Sequence, residues 1–295
     1  MPNTVDAAFE QFHEAISLVA DYRTTAKARR ERVVRLLSST FEVEDAFGAG
    51  SIPRLTALKG DAALDVMVVL NYSKHIRDRT PTQVLDSVRE ALAAYRTGTR
   101  RHGQAVTLYY ECWPNVDIVP VSRTLHADGT VSHYNLPESG SDTWIPSRPD
   151  ALASAVEAKT AECGANFRRI VRMLKHWSRT HSDCLTSYHI EVLALHVFNG
   201  RLDSVAWHVH EFFHEARRLL AGPLWYDTGY VDDYLGRADR LRALAQVDLA
   251  IGKSRDAWFR AYAPNDDHRG AIEAWRQLFG NRFPAYGLVR AVRST

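Results

Sequence analysis

Apolar positions recur at helical spacing through the first 39 residues. Phe9, Phe12, Ile16, Val19 and Ala20 are followed by Val33, Val34, Leu36 and Leu37, and this period predicts an amphipathic helical segment over 5–39. A loop containing Gly48 and Gly50 follows. The run Leu64-Asp65-Val66-Met67-Val68-Val69-Leu70 is rich in β-branched residues and too short for an ordinary helix, so it reads as a buried strand. A helix is predicted over 82–95, begun by Pro81 and carrying Val84, Leu85, Val88, Leu92 and Ala93. Strands are predicted over 105–112 and 116–121, separated by Trp113-Pro114-Asn115. Asp128-Gly129 supplies a hairpin-type turn between 124–126 and 130–134.

From Pro149 the pattern turns wholly helical. Helices are predicted over 151–180, 187–198, 205–220, 231–251, 253–263 and 269–278, with no internal repeat. The fold class is therefore α+β, in three parts: an N-terminal helical segment (1–40), a mixed core (41–149) and a helical lobe (150–295).

Composition narrows the function classes. The chain has 295 residues, 45% hydrophobic and 24% charged, an ordinary globular balance with material for a sizeable core. The formal net charge is +2, too small for a strong global field, so binding to nucleic acid is not required by the sequence. Basic runs at Arg29, Arg30, Arg32 and Arg35, and at Arg96, Arg100, Arg101 and His102, read as solvated faces. Cys112, Cys163 and Cys184 form no CxxC pair, which points to a reducing cytoplasmic setting without a disulfide framework. There is no signal-peptide pattern, and no run approaches the ~18 apolar residues of a membrane span, so no membrane partner is expected.

Three pieces carry candidate chemistry. Gly50-Ser51 closes a glycine-containing loop and opens a short helical stretch with Pro53 in its first turn. Free N–H groups at a helix start, with a serine hydroxyl, make a place for a triphosphate; alone, the pair says no more than a turn and an N-cap. Downstream lies Asp61-Ala62-Ala63-Leu64-Asp65, where strand alternation turns positions 63 and 65 the same way. Asp117, in Val116-Asp117-Ile118-Val119-Pro120, is a single acid among apolar neighbours on another predicted strand. Carboxylates converging from two strands suit two-metal phosphoryl transfer, in which hard oxygen ligands hold Mg²⁺.

These pieces resemble a known family. Gly50-Ser51-Ile52-Pro53-Arg54-Leu55-Thr56, then Lys59-Gly60-Asp61 and Leu64-Asp65-Val66-Met67-Val68-Val69, are similar to the signature of the cGAS/DncV-like (SMODS) nucleotidyltransferases. Tyr134-Asn135-Leu136-Pro137 and Trp144-Ile145-Pro146-Ser147-Arg148-Pro149 resemble the family's link between lobes. Arg172-Met173-Leu174-Lys175-His176-Trp177 and Thr186-Ser187-Tyr188-His189-Ile190-Glu191 resemble its two central helices. Trp275-Arg276-Gln277-Leu278-Phe279-Gly280 with Phe283-Pro284 resembles its C-terminal end.

The resemblance implies a polymerase-β-like nucleotidyltransferase core with a packed C-terminal helical lobe. It further implies a template-independent enzyme that joins nucleoside triphosphates into a cyclic oligonucleotide messenger, read by a downstream effector in antiphage signalling. On that reading Asp65 and Asp117 bind Mg²⁺ (or Mn²⁺), and Gly50, Ser51 and Arg54 lie at the triphosphate. Lys175 neutralises phosphate charge, while Ser187 and Tyr188 line the nucleotide pocket.

One departure matters. The family has Asp-x-Asp where this chain has Ala63-Leu64-Asp65. Losing a metal ligand is expected to cost ~4 kcal/mol of transition-state stabilisation, roughly a thousandfold in rate. Asp61 shares the strand parity but lies two residues too early to replace the missing acid. An introduced Asp-to-Ala change accounts for Ala63 better than natural loss, the rest of the signature being intact. The alternatives are a maker of linear oligonucleotides with the same site, and a nucleotide-binding pseudoenzyme. A third is a zinc hydrolase, because His210-Glu211-Phe212-Phe213-His214 matches HExxH. The zinc reading lacks a third ligand: no glutamate lies between Glu215 and Glu273, and the extended form's glycine and histidine are missing.

Overall fold

A computed structural model describes residues 4–18, 22–60, 63–93, 98–112, 114–138, 141–262 and 264–287. The chain divides into two compact units: residues 1–17 with 155–295, and residues 18–154.

The first helix, α1 (Val5–Ile16), starts at Thr4, whose hydroxyl accepts from the Ala7 N–H at 3.2 Å. It belongs to the helical unit, whereas α2 (Tyr22–Leu37) belongs to the sheet unit. The expected N-terminal segment is thus two helices in two different units. In the sheet unit, β1 (Val43–Ala49), β2 (Leu64–Leu70), α3 (Pro81–Leu92), β3 (Thr99–His102) and β4 (Ala105–Leu108) come first. Then follow β5 (Val116–Leu125), β6 (Val131–Pro137) and β7 (Trp144–Ser147). Pro81 and a capping box between Thr80 and Gln83 set the start of α3.

These strands form one sheet in the order β1-β2-β5-β4-β3, with β6 added on β5 and β7 on β6. The β2–β5 pair is parallel and the other pairs are antiparallel. Alternation along β2 and β5 sorts their side chains onto two faces. On one face Val66, Val68, Val106 and Ile118 pack with Val33 and Leu37 of α2 and Val84, Leu85 and Val88 of α3. Each such buried side chain contributes about 1.5–3 kcal/mol relative to exposure. The other face carries a smaller apolar cluster, including Ala49, Met67, Val69, Val119 and Val121. The carboxylates considered below share that thinner face.

The helical unit continues with α4 (Pro149–Cys163), which begins within the other unit's range, and α5 (Asn166–Thr180). Then come α6 (Ser187–Val197), α7 (Val205–Leu219), the small hairpin β8 (Trp225–Tyr226) and β9 (Gly229–Tyr230), α8 (Arg237–Ala261) and α9 (His268–Phe279). Phe9 of α1 meets Trp275, Phe279 and Phe283 edge-on, at centroid distances of 5.0, 6.1 and 5.2 Å.

Several boundaries differ from the sequence reading. The glycine-containing loop before Gly50 is the edge strand β1. The single helix over 151–180 breaks at Gly164, whose φ of +82° is glycine's territory. Two helices expected over 231–251 and 253–263 are one, α8, which starts only at Arg237 and runs through Gly252.

Candidate active site

Parallel pairing of β2 with β5 sets Asp65 directly beside Asp117. The same register row extends to Ala49 on β1 and Thr107 on β4, so four neighbouring strands present Ala49, Asp65, Asp117 and Thr107 side by side. Adjacent strands lie about 4.8 Å apart, which puts the two carboxyl groups at one spot. The Thr107 hydroxyl donates to Asp117 Oδ1 at 2.6 Å. Both acids are half-buried.

This crowding has an electrostatic consequence. Burial, and then the negative charge of Asp117, push the Asp65 carboxyl from 3.8 up to about 7, while the Arg54 guanidinium pulls it the other way. Like charges in a partly dry site disfavour joint ionisation. A carboxylate pair of this kind is short of positive charge.

Gly50 forms the wall of the site. Its φ is +71°, and a Cβ at this position would lie 1.6 Å from Asp65 Oδ2. Both the backbone conformation and the approaching carboxylate therefore demand glycine. Ser51 follows, half-buried. The short helix expected here is instead a run of turns: the Thr56 N–H donates to the Ser51 carbonyl at 3.0 Å and the Leu55 N–H to the Ile52 carbonyl at 3.1 Å. Leu55, at φ +60°, sits in the left-handed region and turns the chain away from helix. The helix-start argument for a triphosphate therefore does not hold; Ser51, Arg54 and the glycine wall remain.

Ala63 lies half-buried immediately before β2, where the Leu64 N–H donates to the Asn115 carbonyl at 2.8 Å. Strand alternation gives it the parity of Asp65, and its methyl group offers no oxygen. Asp61 lies outside the described residues. Among the described residues no group of three histidine, cysteine or acidic side chains could hold a metal ion. Two adjoining carboxylates that repel each other, one of them held against a glycine cradle, nevertheless fit a hard divalent cation as a partial ligand set.

The remaining candidates lie in the helical unit. Lys175 of α5 is 2% exposed, and its Nζ donates to Glu191 of α6, which is 0% exposed. The charge expected to meet phosphate is thus already matched inside the fold, by a residue that the sequence reading gave no role. Only a pairing across two helices could have disclosed Glu191, and helical periodicity carries no such signal. Ser187 and the exposed Tyr188 form the first turn of α6, capped by the Thr186 hydroxyl, which accepts from the His189 N–H at 3.2 Å.

The HExxH motif is structural. His210 Nδ1 pairs with the buried Ser254 hydroxyl at 2.9 Å, and His214 is exposed beside Glu215. Phe212 and Phe213 fill the core of the helical unit. The zinc-hydrolase alternative is set aside.

Residues 3–159 match the model of the Second Messenger Oligonucleotide or Dinucleotide Synthetase domain. The chain belongs to this family. It is a cGAS/DncV-like nucleotidyltransferase by family and has the family's polymerase-β-like fold. A probable cyclic nucleotide synthase of Bacillus cereus is 22% identical over 97% of this chain and 99% of its own length. The CBASS oligonucleotide cyclase CdnC of Escherichia coli is 26% identical over 67% of each chain. The structure of Escherichia coli CdnC with ATP superposes with a TM-score of 0.75, at 19% identity, over 94% of this chain and 98% of that one. No described helix of this chain is long and apolar enough to cross a membrane.

Proposed function

We propose that this chain carries the site of a template-independent synthase that joins nucleoside triphosphates into a cyclic oligonucleotide messenger, read by a downstream effector in antiphage signalling. The observation that carries this reading is the row in which Asp65 and Asp117 adjoin across parallel strands, with Asp65 raised to about 7. That crowding is costly for the free protein and becomes favourable once positive charge enters. ATP in the CdnC structure supports nucleoside triphosphates as the ligands.

Asp65 and Asp117 would hold Mg²⁺, or Mn²⁺ in its place. The ion would supply charge stabilisation of the phosphates and acidify the attacking hydroxyl. Thr107 keeps the Asp117 carboxylate oriented through its hydroxyl. Gly50 lets the Asp65 carboxylate approach the backbone, with Ser51 and Arg54 beside it to meet phosphate oxygens. Tyr188 offers an exposed ring for a base, and Ser187 a hydroxyl at the same helix start. Lys175, buried and with its charge offset by Glu191, is left out of the phosphate contacts.

Ala63 leaves the carboxylate set one short, so this chain holds nucleotide better than it turns it over. The test restores the acid. Ala63→Asp and the unaltered protein are incubated with Mg²⁺ and mixed nucleoside triphosphates, and products surviving phosphatase are identified by mass spectrometry. The restored protein is expected to make a phosphatase-resistant product about a thousandfold faster. A restored protein that binds nucleotide yet makes no product would favour a pseudoenzyme.

A further inference from the structure

The start of α6 is also held by Tyr234, from the connection between α7 and α8. The Tyr234 hydroxyl accepts the backbone N–H of Thr186 at 3.0 Å and lies 3.0 Å from His189 Nδ1. Thr186 in turn caps the helix by accepting the His189 N–H. One phenol thus ties down the cap residue and the third residue of the helix, with Ser187 and Tyr188 between them.

The phenol oxygen accepts from Thr186 and shares a second hydrogen bond with His189 Nδ1, in which either atom is the donor according to the imidazole tautomer. His189 is 1% exposed. Burial lowers its imidazole to about 4 and raises the Tyr234 phenol, so both are neutral near pH 7. The rings meet nearly at right angles, with centroids 5.8 Å apart.

Tyr234 is itself well anchored. The Leu235 N–H donates to the Asp232 carbonyl at 2.9 Å. The buried Asp232 side chain accepts the Leu224 N–H at 2.8 Å and pairs with Arg240, which also donates to the Leu220 and Gly222 carbonyls. The connection between α7 and α8 is cross-tied, and it delivers the phenol to a fixed point on α6.

We propose that Tyr234 and His189 are positioning residues, which set the first turn of α6 so that Ser187 and Tyr188 can receive a nucleoside triphosphate. This rests on the nucleotide-binding reading of Ser187 and Tyr188. Neither Tyr234 nor His189 needs to touch substrate. The hydroxyl is the operative atom, because the phenyl ring alone leaves the Thr186 N–H and His189 Nδ1 without it.

The test measures MgATP affinity by calorimetry, together with amide exchange at Thr186, in the full chain. Tyr234→Phe is expected to weaken MgATP about tenfold, from two lost hydrogen bonds, and to speed Thr186 exchange. His189→Asn keeps a group that can accept or donate near the place of Nδ1 and is expected to stay within about threefold of the parent, whereas His189→Leu behaves like Tyr234→Phe. This rescue separates positioning from general damage to the fold. If Tyr234→Phe exchanges faster at Thr186 yet binds MgATP as the parent does, the inference is overturned while the nucleotide reading stands. If the parent itself fails to bind MgATP, the nucleotide reading falls and this inference falls with it.

Discussion

Each unit of this protein holds a close pair of charged side chains, and the two pairs are built on opposite terms. In the sheet unit Asp65 and Asp117 carry like charge, and Asp65 is driven to about 7. In the helical unit Lys175 and Glu191 carry opposite charge and are sealed together at 2% and 0% exposure. The second pair balances its own charge. On the proposed reading the first is balanced by a cation, and this difference would separate a site built for a ligand from one that holds a fold. A buried pair is therefore weak evidence of function until its charges are summed.

The comparison can be broken from either side. Glu191→Ala leaves the Lys175 charge buried without its carboxylate and is expected to cost about 3–5 kcal/mol, read as a lower urea midpoint. Joint replacement, Lys175→Met with Glu191→Leu, is expected to restore most of that loss. A small effect from Glu191→Ala alone would show that the pair is not the closed unit described.

A smaller effect is expected in the sheet unit. Gly50→Ala forces a Cβ into the Asp65 carboxylate and a left-handed residue into a strained conformation. It should cost about 1–2 kcal/mol for the backbone alone, and Mg²⁺-dependent nucleotide affinity should fall further than stability does. Equal Mg²⁺ response in the variant would remove Gly50 from the site.

The smallest effect is a slope. Because the folded Asp65 carboxyl lies above its ordinary 3.8, the native state holds this proton more tightly than the unfolded chain does. Its contribution is full below about pH 4 and is lost as pH rises to about 7. Without divalent cations, stability measured between pH 5 and 7 should fall with a shallower slope in Asp65→Asn than in the parent. An unchanged slope would mean that Asp65 is not the crowded acid.

What the sequence disclosed follows from where the information lies. The β-branched run of β2 and the hairpin at Asp128-Gly129 are local patterns, and both are present in the structure. Edge strand β1 was hidden because Glu44, Asp45 and Gly48 give it no alternation; its pairing with β2 is a long-range contact. Gly164 and Gly252 make the same point in reverse. One ends a helix at positive φ and the other lies inside one, and composition alone does not distinguish them. In the sheet unit, Asp65 and Asp117 were legible as acids in apolar runs. Thr107 there, and Glu191 and Tyr234 in the helical unit, were not, because each acts through a partner 10, 16 or 48 residues away.

The most direct test of the unfinished pair is thermal unfolding with and without Mg²⁺ at pH 6 and pH 8, in the parent and in Asp65→Asn. Binding of a cation must displace the Asp65 proton. Mg²⁺ should therefore raise the parent's midpoint more at pH 8 than at pH 6 and do little for Asp65→Asn. An Mg²⁺ response that is independent of pH, or equal in the two proteins, would contradict the assignment of Asp65 and Asp117 as the cation site.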